Sequence, residues 1–378
     1  MEDQVNCDSD VKCFPAVKIL RILMLITGGT PCMKERDGSL APADHGEFTT
    51  FIKRNPLMHD RQRHQQLGLS EDELVLPGAP IIYRIVEYPT LLDSSNIEFQ
   101  DWNRIALDIQ ENYDRFDGFV IIHGTDTLAY TGAALTFALA NLGKPVVLTG
   151  SQLPIFESRT DAVINIIDAL KVAETFPDLQ KVVVVFNRQM FLASRIVKVN
   201  NEDFRAFSSP NLGPLADLNT SVRNSLRSNN DGLNRRTGGF RIHLYNESKI
   251  SVLYLTPGIP REIVEAAVAP PMKGVILVSF GNGNIPSNRE DITDALAEAV
   301  NREVLIVNVT QCLQGSVSDI YETGAVLGTA GVVSGSDMTI PAAYAKVAFV
   351  LGIARSYEEM KQMIQEDLRG ELTTQTIS

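Results

Sequence analysis

The chain alternates short runs of apolar, β-branched residues with longer stretches in which apolar residues recur at helical spacing. Short apolar runs bounded by turn-forming residues are typical of strands that are buried on both faces, as in parallel sheets. In the first half of the chain the pattern predicts strands over residues 21–26, 118–122, 145–148 and 181–186. In the second half it predicts strands over residues 250–254, 274–279 and 304–308.

Helices are predicted between these strands. Trp102, Ile105 and Ile109 recur at helical spacing within residues 101–113, and an apolar helix over residues 131–142 ends before a glycine. Further helices are predicted over residues 263–268, 291–300 and 357–366. Strands that alternate with helices indicate parallel βαβ units, so we expect an α/β fold.

The alternation is interrupted once, where the composition shifts to Asn, Ser, Gly and Arg and the apolar periodicity fades. We therefore predict a larger N-terminal α/β domain over residues 18–216, a linker over residues 217–248 and a smaller C-terminal α/β domain over residues 249–378. A length of 378 residues agrees with two domains, because single hydrophobic cores stop growing at about 250–300 residues.

Charge and cysteine content narrow the possible partners and compartments. The formal net charge is −12, so a nucleic-acid backbone would be repelled by the overall field. Four cysteines, none in a CxxC pair, are too sparse for a disulfide framework and favour a reducing compartment. No apolar run approaches the length of a membrane helix, and the acidic N-terminus does not resemble a signal peptide. We expect a cytoplasmic protein that binds neither nucleic acid nor membrane.

Two glycine- and hydroxyl-rich segments each follow a predicted strand, Thr27-Gly28-Gly29-Thr30 and His123-Gly124-Thr125-Asp126-Thr127. In doubly wound sheets, ligands bind just beyond the carboxyl ends of parallel strands. Glycine lets the backbone approach a small ligand, and a hydroxyl supplies a nucleophile or a hydrogen-bond donor. Each segment alone is typical of a structural turn, and neither is the GxGxxG fingerprint of a dinucleotide site.

The ordered pair of segments resembles the bacterial-type asparaginase and glutaminase family, and in particular its cytoplasmic (type I) L-asparaginases. Other segments match the family in the same order, so the resemblance covers nearly the whole chain. These segments are residues 91–95, 148–152, 195–198, 209–211, 310–315 and 367–371.

The resemblance implies both a fold and a reaction. The fold would be a two-domain asparaginase-like α/β fold with a larger flavodoxin-like parallel sheet in the N-terminal domain. The reaction would be hydrolysis of L-asparagine to L-aspartate and ammonia through a threonine nucleophile and a β-aspartyl-enzyme intermediate. The family uses no metal or organic cofactor, and it forms homodimers or homotetramers.

By resemblance, Thr30 attacks the amide carbon, while Thr125, Asp126 and Lys198 form a proton relay. The chemistry is reasonable on its own, because a threonine hydroxyl is a poor nucleophile unless a base removes its proton. Lys198 can serve as that base only if its ammonium is desolvated or its charge is offset, and Asp126 is a suitable partner. Backbone N–H groups of the two Gly-Thr turns are candidate donors to the oxyanion.

Substrate binding requires donors for an α-carboxylate and acceptors for an α-ammonium group. In the family the position of Ser94 holds the carboxylate, Asp93 and Ser95 flank it, and Asp126 faces the ammonium. The remaining predicted substrate-binding residues are Gly124 and Ser151. His123 is expected to be a structural hydrogen-bonding residue rather than a proton-transfer group.

The chain departs from the family around the nucleophile. Pro31 follows Thr30 where relatives have isoleucine, which removes an N–H and biases Thr30 away from the α region. Cys32 is expected to replace a small residue. Some relatives have a tyrosine near Ser39-Leu40, and Tyr321 of the C-terminal domain is the predicted substitute.

A second departure concerns regulation. Bacterial type I enzymes have an allosteric asparagine site whose arginine matches Val278 and whose threonine matches Val197 in this chain. Cys312 matches the cysteine of that site. Both polar anchors are therefore replaced by apolar residues.

Two other functions remain open at this point. Pro31 and the missing tyrosine are compatible with a catalytically weakened relative that binds amino acids as a sensor or scaffold. A subunit of a tRNA-dependent amidotransferase would share the fold, but the acidic charge and the lack of an additional N-terminal domain argue against it.

Overall fold

The computed structural model describes residues 18–219, 238–246, 249–286, 288–317 and 327–373. Its strands are β1 (Leu20–Gly28), β2 (Met33–Arg36), β3 (Ser39–Pro42), β4 (Glu73–Val75), β5 (Ile81–Leu92), β6 (Gly118–Ile122), β7 (Leu139–Ala140), β8 (Val146–Thr149), β9 (Val182–Phe186), β10 (Gln189–Leu192), β11 (Val197–Lys198), β12 (Phe207–Ser208), β13 (Ala216–Asp217), β14 (Arg241–Ile242), β15 (Ile250–Tyr254), β16 (Gly274–Ser279), β17 (Leu305–Thr310) and β18 (Val333–Ser334).

The α-helices are α1 (Glu47–Arg54), α2 (Arg61–Gln66), α3 (Phe99–Asn112), α4 (Leu128–Ala138), α5 (Ala162–Thr175), α6 (Arg261–Val268), α7 (Glu290–Asn301), α8 (Ile340–Ile353) and α9 (Tyr357–Gln365). Short 3₁₀ helices span Thr30–Cys32, Ser94–Asn96 and Ala193–Arg195.

The larger sheet has the strand order β13-β10-β9-β8-β6-β1-β5-β4. Strands β1, β5, β6, β8 and β9 are parallel, and they follow the flavodoxin-like order in which the second strand lies on one side of the first and the later strands on the other. The predicted α/β fold with a flavodoxin-like sheet is therefore confirmed. The chain switches direction at β1 and β6, so a crevice is expected at their carboxyl ends.

The central strands β1, β6, β8 and β9 are buried on both faces, which explains their continuous apolar sequences. On β1, Met24 and Ile26 pack with the layer formed by α1 and α5, whereas Leu23 and Leu25 pack with the layer formed by α3 and α4. Helix α4 is buried on nearly its whole circumference, because α8 of the second domain covers its outer side. The two domains thus share one large core cluster.

The second domain contains a four-stranded parallel sheet in the order β15-β16-β17-β18. Helices α6 and α7 pack on one face, and α8 packs against β15, β16 and β17 while it also contacts α4. The predicted smaller α/β domain is confirmed in its fold class. Among the described residues, no helix is both long and apolar enough to cross a membrane.

Part of the predicted linker packs on the first domain. The predicted helix over residues 131–142 ends at Ala138, because the chain continues into β7, which pairs with β14. Nearby, Tyr245 is buried against Trp102. The division at residues 217–248 remains a prediction.

Candidate functional site

Two glycines bring the ends of β1 and β6 into backbone contact. Gly29 has φ +83°, and a Cβ atom there would lie only 2.1 Å from the Cα of Gly124. In return, a Cβ on Gly124 would lie 2.9 Å from the Cα of Gly29. Side chains are therefore excluded at both positions. Thr30 and Thr125 directly follow these glycines, so the two predicted hydroxyl residues lie on adjoining turns.

Thr30 begins the 3₁₀ turn Thr30–Cys32, in which Cys32 N donates to Gly29 O at 2.9 Å. Pro31 occupies the second position, where a 3₁₀ turn leaves the backbone N–H without an acceptor, so proline removes no hydrogen bond of the turn. Its carbonyl accepts a hydrogen bond from Ile155 N at 3.0 Å, which attaches the turn to the loop after β8. Pro31, next to the predicted nucleophile, therefore costs the turn no hydrogen bond.

Cys32, the last residue of this turn, is completely buried. Burial, with a smaller contribution from the carboxylate of Glu87, raises the pKa of its thiol well above the ordinary value. A protonated, inaccessible thiol is a packing group and not a nucleophile. This agrees with the expectation that Cys32 replaces a small residue.

Lys198 connects the predicted relay residues. Its Nζ donates to Thr125 Oγ1 at 2.8 Å and to Asp126 Oδ1 at 2.6 Å. Thr125 is buried, the Lys198 side chain is 20% exposed and the Asp126 side chain is 59% exposed. The lysine therefore lies where a buried hydroxyl meets a carboxylate that faces solvent.

The loop after β5 lies against the same turn. The Ser94 hydroxyl is buried and accepts a hydrogen bond from Asp126 N at 3.3 Å, and the Ser94 carbonyl accepts one from the Thr127 hydroxyl at 2.7 Å. The Asp93 carboxylate accepts from Ser95 N at 3.1 Å and so caps the short helix, while the Ser95 side chain is exposed. Thr127 was not among the predicted site residues. Its position in the His123–Thr127 segment is the feature of the sequence that could have indicated it.

The other two predicted binding residues have mainly steric and local contacts. A Cβ on Gly124 would lie 2.5 Å from Ser94 Oγ, so glycine allows the close approach of Ser94. Ser151 is buried at the end of β8, and its hydroxyl donates to the Leu153 carbonyl. Tyr321 lies outside the described residues.

His123 belongs to a buried hydrogen-bonded chain. Its Nδ1 lies 2.7 Å from the Gly124 carbonyl and its Nε2 lies 3.0 Å from Thr131 Oγ1. A carbonyl only accepts, so Nδ1 carries the proton; Nε2 then accepts from the Thr131 hydroxyl, which itself accepts from Trp102 Nε1 at 3.0 Å. Burial lowers the pKa of His123 to about 4. The neutral ring thus supports the Gly124 turn.

Two of the three positions that were predicted to match the bacterial allosteric site line a small cavity. Val197 and Cys312 line a cavity of 60 Å³ next to Asp337, and Val278 is completely buried in β16. Pockets for small-molecule ligands usually measure about 300–1,000 Å³. Across the described part of the chain, no group of three or more His, Cys, Asp or Glu side chains is arranged to hold a metal ion.

Comparison with known proteins gives two family matches. The family model described as "Asparaginase, N-terminal" matches residues 21–230, and the one described as "Glutaminase/Asparaginase C-terminal domain" matches residues 249–364. The structure of L-asparaginase I from Vibrio cholerae O1 biovar eltor aligns with a TM-score of 0.81 and 38% identity, covering 94% of this chain and 99% of that one.

Two relatives show how far the similarity extends. L-asparaginase 1 of Escherichia coli (strain K12) is 41% identical over 77% of this chain and 85% of that protein. The human protein named 60 kDa lysophospholipase is 39% identical over 94% of this chain but only 62% of that protein. The chain spans about six-tenths of the length of the curated relatives that it matches over the most residues.

Proposed function

Because this chain belongs to the asparaginase family, we propose that it hydrolyses L-asparagine to L-aspartate and ammonia. One observation carries the proposal. Lys198 Nζ lies within hydrogen-bond distance of both Thr125 and Asp126, on the turn that contacts the Gly29-Thr30 turn. These contacts join a candidate base to a candidate transfer hydroxyl, and the neighbouring turn carries Thr30, so they support the arrangement that an activated nucleophile requires.

In the first half of the reaction, the Thr30 hydroxyl oxygen attacks the side-chain amide carbon of asparagine. The Thr30 proton passes to Thr125, whose own proton passes to Lys198, the base of the proposed relay. Collapse of the tetrahedral intermediate breaks the C–N bond, and the relay returns the proton to the departing nitrogen, so that ammonia leaves. The product is a β-aspartyl ester on Thr30.

In the second half, water attacks the ester carbonyl and gives its proton to the same relay. The C–O bond to Thr30 breaks, Thr30 regains a proton, and aspartate is released. Backbone N–H groups of the two Gly-Thr turns are our candidates for stabilising the oxyanion in both halves, a contribution of about 3 kcal/mol per donor in serine proteases.

Substrate binding is proposed to use the loop after β5. Ser94 would hold the α-carboxylate, and Asp126 would face the α-ammonium from the opposite side. Their contact through Asp126 N and Ser94 Oγ, at 3.3 Å, supports a shared binding surface for a zwitterion. Asp93, Ser95, Gly124 and Ser151 are proposed to shape this surface.

The test is ammonia release from asparagine by the purified chain and by Thr30→Ala. Activity in the wild type that Thr30→Ala abolishes supports the proposal, and equal activity in both would refute the nucleophile. Binding of asparagine without turnover would favour the sensor or scaffold function.

Two parallel assays separate related activities. Ammonia release from glutamine measures the side activity on the longer amide. Fatty-acid release from lysophosphatidylcholine tests the activity named for the human relative, which would use the same threonine on an ester. Fatty-acid release without ammonia release would refute asparagine hydrolysis.

We also propose a homodimer or homotetramer located in the cytoplasm. Both cysteines in the described residues, Cys32 and Cys312, are free thiols, which fits a reducing compartment. Sedimentation analysis of the purified protein measures the assembly, and a monomer at micromolar concentration would refute it.

A further inference from the structure

The segment that carries Lys198 is a very short hairpin. It consists of β11 and β12, in which Val197 pairs with Ser208 and Lys198 with Phe207, and the Ala206 carbonyl accepts further hydrogen bonds from Val199 N and Asn200 N. We call residues 197–208 the relay hairpin. A two-stranded hairpin of this kind is marginal by itself, so its position depends on its anchors. Gln152 Nε2 donates to the carbonyls of Asn200 and Asp203 near the tip, and further contacts hold the two ends.

The first end is anchored by Arg195, which is 4% exposed. Its Nη1 and Nη2 donate to the two carboxylate oxygens of Asp337 at 3.1 and 2.8 Å. They also donate to the Glu371 carbonyl and to the Thr373 hydroxyl, both at 2.8 Å. Asp337 precedes α8, so this bidentate pair joins the first domain to the second domain and to the segment after α9.

The charge state of the pair is well defined. Burial alone would raise the pKa of the Asp337 carboxyl, but hydrogen bonds from Thr373 and Arg195 outweigh it and hold the pKa below the ordinary value. Asp337 is therefore ionised at neutral pH. A buried bidentate pair of this kind fixes geometry, because removing either partner leaves the other charge buried without compensation.

The second end is anchored to the same residue. Asn211 follows β12, and its Nδ2 donates to the Asp337 carbonyl and to the Gly315 carbonyl, both at 3.1 Å. Its Oδ1 accepts a hydrogen bond from Gly315 N at 2.9 Å. Both ends of the relay hairpin are thus attached to Asp337, one through its carboxylate and the other through its backbone.

We propose that Arg195 and Asp337 are positioning residues that keep Lys198 within hydrogen-bond distance of Thr125 and Asp126. The relay is then complete only when the two domains meet at Asp337. Only Ile196 and Val197 separate Arg195 from Lys198, so a shift at the anchor moves the lysine. The proposal rests on the proposed function, in which Lys198 is the base.

The main test is a double-mutant cycle of Asp337→Asn and Lys198→Met with asparagine as substrate. Asp337→Asn alone should lower kcat about tenfold or more and change KM by less than about threefold, because a displacement of about 1 Å can cost about 10²-fold in rate. In the Lys198→Met background the same change should have no further effect, since the lysine that it positions is absent.

A matched control distinguishes positioning from loss of stability. Ile292→Ala removes a buried side chain from the core of the second domain, away from the relay hairpin. It should lower Tm while kcat stays near the wild-type value.

Arg195→Lys retains the charge but not the bidentate contact, so it should retain only part of the wild-type kcat. If Asp337→Asn does not fold, Asn211→Ala replaces it in the double-mutant cycle.

Losses of kcat that multiply in the double variant, or a kcat for Asp337→Asn equal to that of the control, would overturn the proposal. If the wild type releases no ammonia, the proposed function is refuted. A crystal structure of Asp337→Asn then tests separately whether Asp337 determines the position of Lys198. A distance from Lys198 Nζ to Thr125 Oγ1 clearly longer than 2.8 Å would support it, and an unchanged distance would refute it.

Discussion

Replacing His123 should remove one component of the pH dependence of stability, because the folded protein holds this histidine neutral. The ring is completely buried and accepts a proton poorly, with a pKa lowered to about 4 mainly by burial. Both ring nitrogens already have partners in the neutral form, namely the Gly124 carbonyl and the Thr131 hydroxyl. Protonation would turn Nε2 into a donor toward a hydroxyl that already donates to it.

The magnitude follows from the difference between the folded and unfolded states. An unfolded histidine titrates near pH 6.5, and the folded value is about 4, a gap that corresponds to about 3 kcal/mol. Since the pKa of the folded state is the lower one, this stability is fully present above about pH 6.5 and is lost as the pH falls toward about 4. In that interval the unfolded chain binds more protons than the folded chain.

The variant is His123→Asn, whose amide retains a donor for the Gly124 carbonyl but does not titrate. It should be less stable than the wild type at neutral pH, and the difference should shrink by about 3 kcal/mol between about pH 7 and about pH 4. Urea unfolding measured at a series of pH values, with the fluorescence of the single tryptophan, Trp102, reports this difference. Ile292→Ala is the control, because it removes a buried apolar side chain and no titratable group, so its difference from the wild type should stay constant with pH. A difference that stays constant with pH would refute the neutral assignment.

Four further outcomes are expected. Lys198→Met should fold normally by thermal unfolding but lower turnover by about 10² or more, and near-normal turnover would remove it from the relay. Ser94→Ala should mainly raise KM in rate curves, whereas a fall in kcat alone would assign it to the chemistry. Gly29→Ala should lower Tm far more than Gly38→Ala, whose φ of +79° is similar but whose Cβ would meet no atom within 4 Å; equal losses would contradict the clash. Rate against asparagine should be hyperbolic, because Val278 cannot replace a charge-assisted anchor worth about 1.5–3 kcal/mol, and a sigmoidal curve would refute this.

The central strands could be predicted because they are buried on both faces. The runs at Gly118–Ile122 and Gly274–Ser279 have the predicted bounds, and the turn-forming residues beside them mark their ends. The edge strand Ile250–Tyr254 also has the predicted bounds, although it is partly exposed. Strand β5 (Ile81–Leu92) has no such uniform run, since arginine, glutamate and proline interrupt it where the sheet is partly exposed. Its pairing with β1 is a tertiary contact that local patterning does not contain.

Helix α8 shows a different limit of patterning. Its sequence has no polar face, because one side packs on the second sheet and the other side on α4 of the first domain. The one charged residue within it, Lys346, is completely buried and pairs with Glu371 beyond α9. An amphipathic pattern appears in a sequence only when one side of the helix faces solvent, and neither side of this helix does.

The candidate site divides in the same way into local and long-range parts. Thr30 and Thr125 were recognisable because each follows a strand and a glycine in one short segment, and adjacent parallel strands bring such segments together. The contact between Arg195 and Asp337 joins residues far apart in sequence, and neither residue directly follows a glycine at the end of a strand. Arg195 lies in a segment that matches the family, but nothing local predicts its burial or its pairing with Asp337. If Asp337 holds both ends of the relay hairpin as proposed, the second domain is needed for the reaction even if it supplies no catalytic group, and the chemistry of the first domain depends on packing that only the folded pair of domains provides.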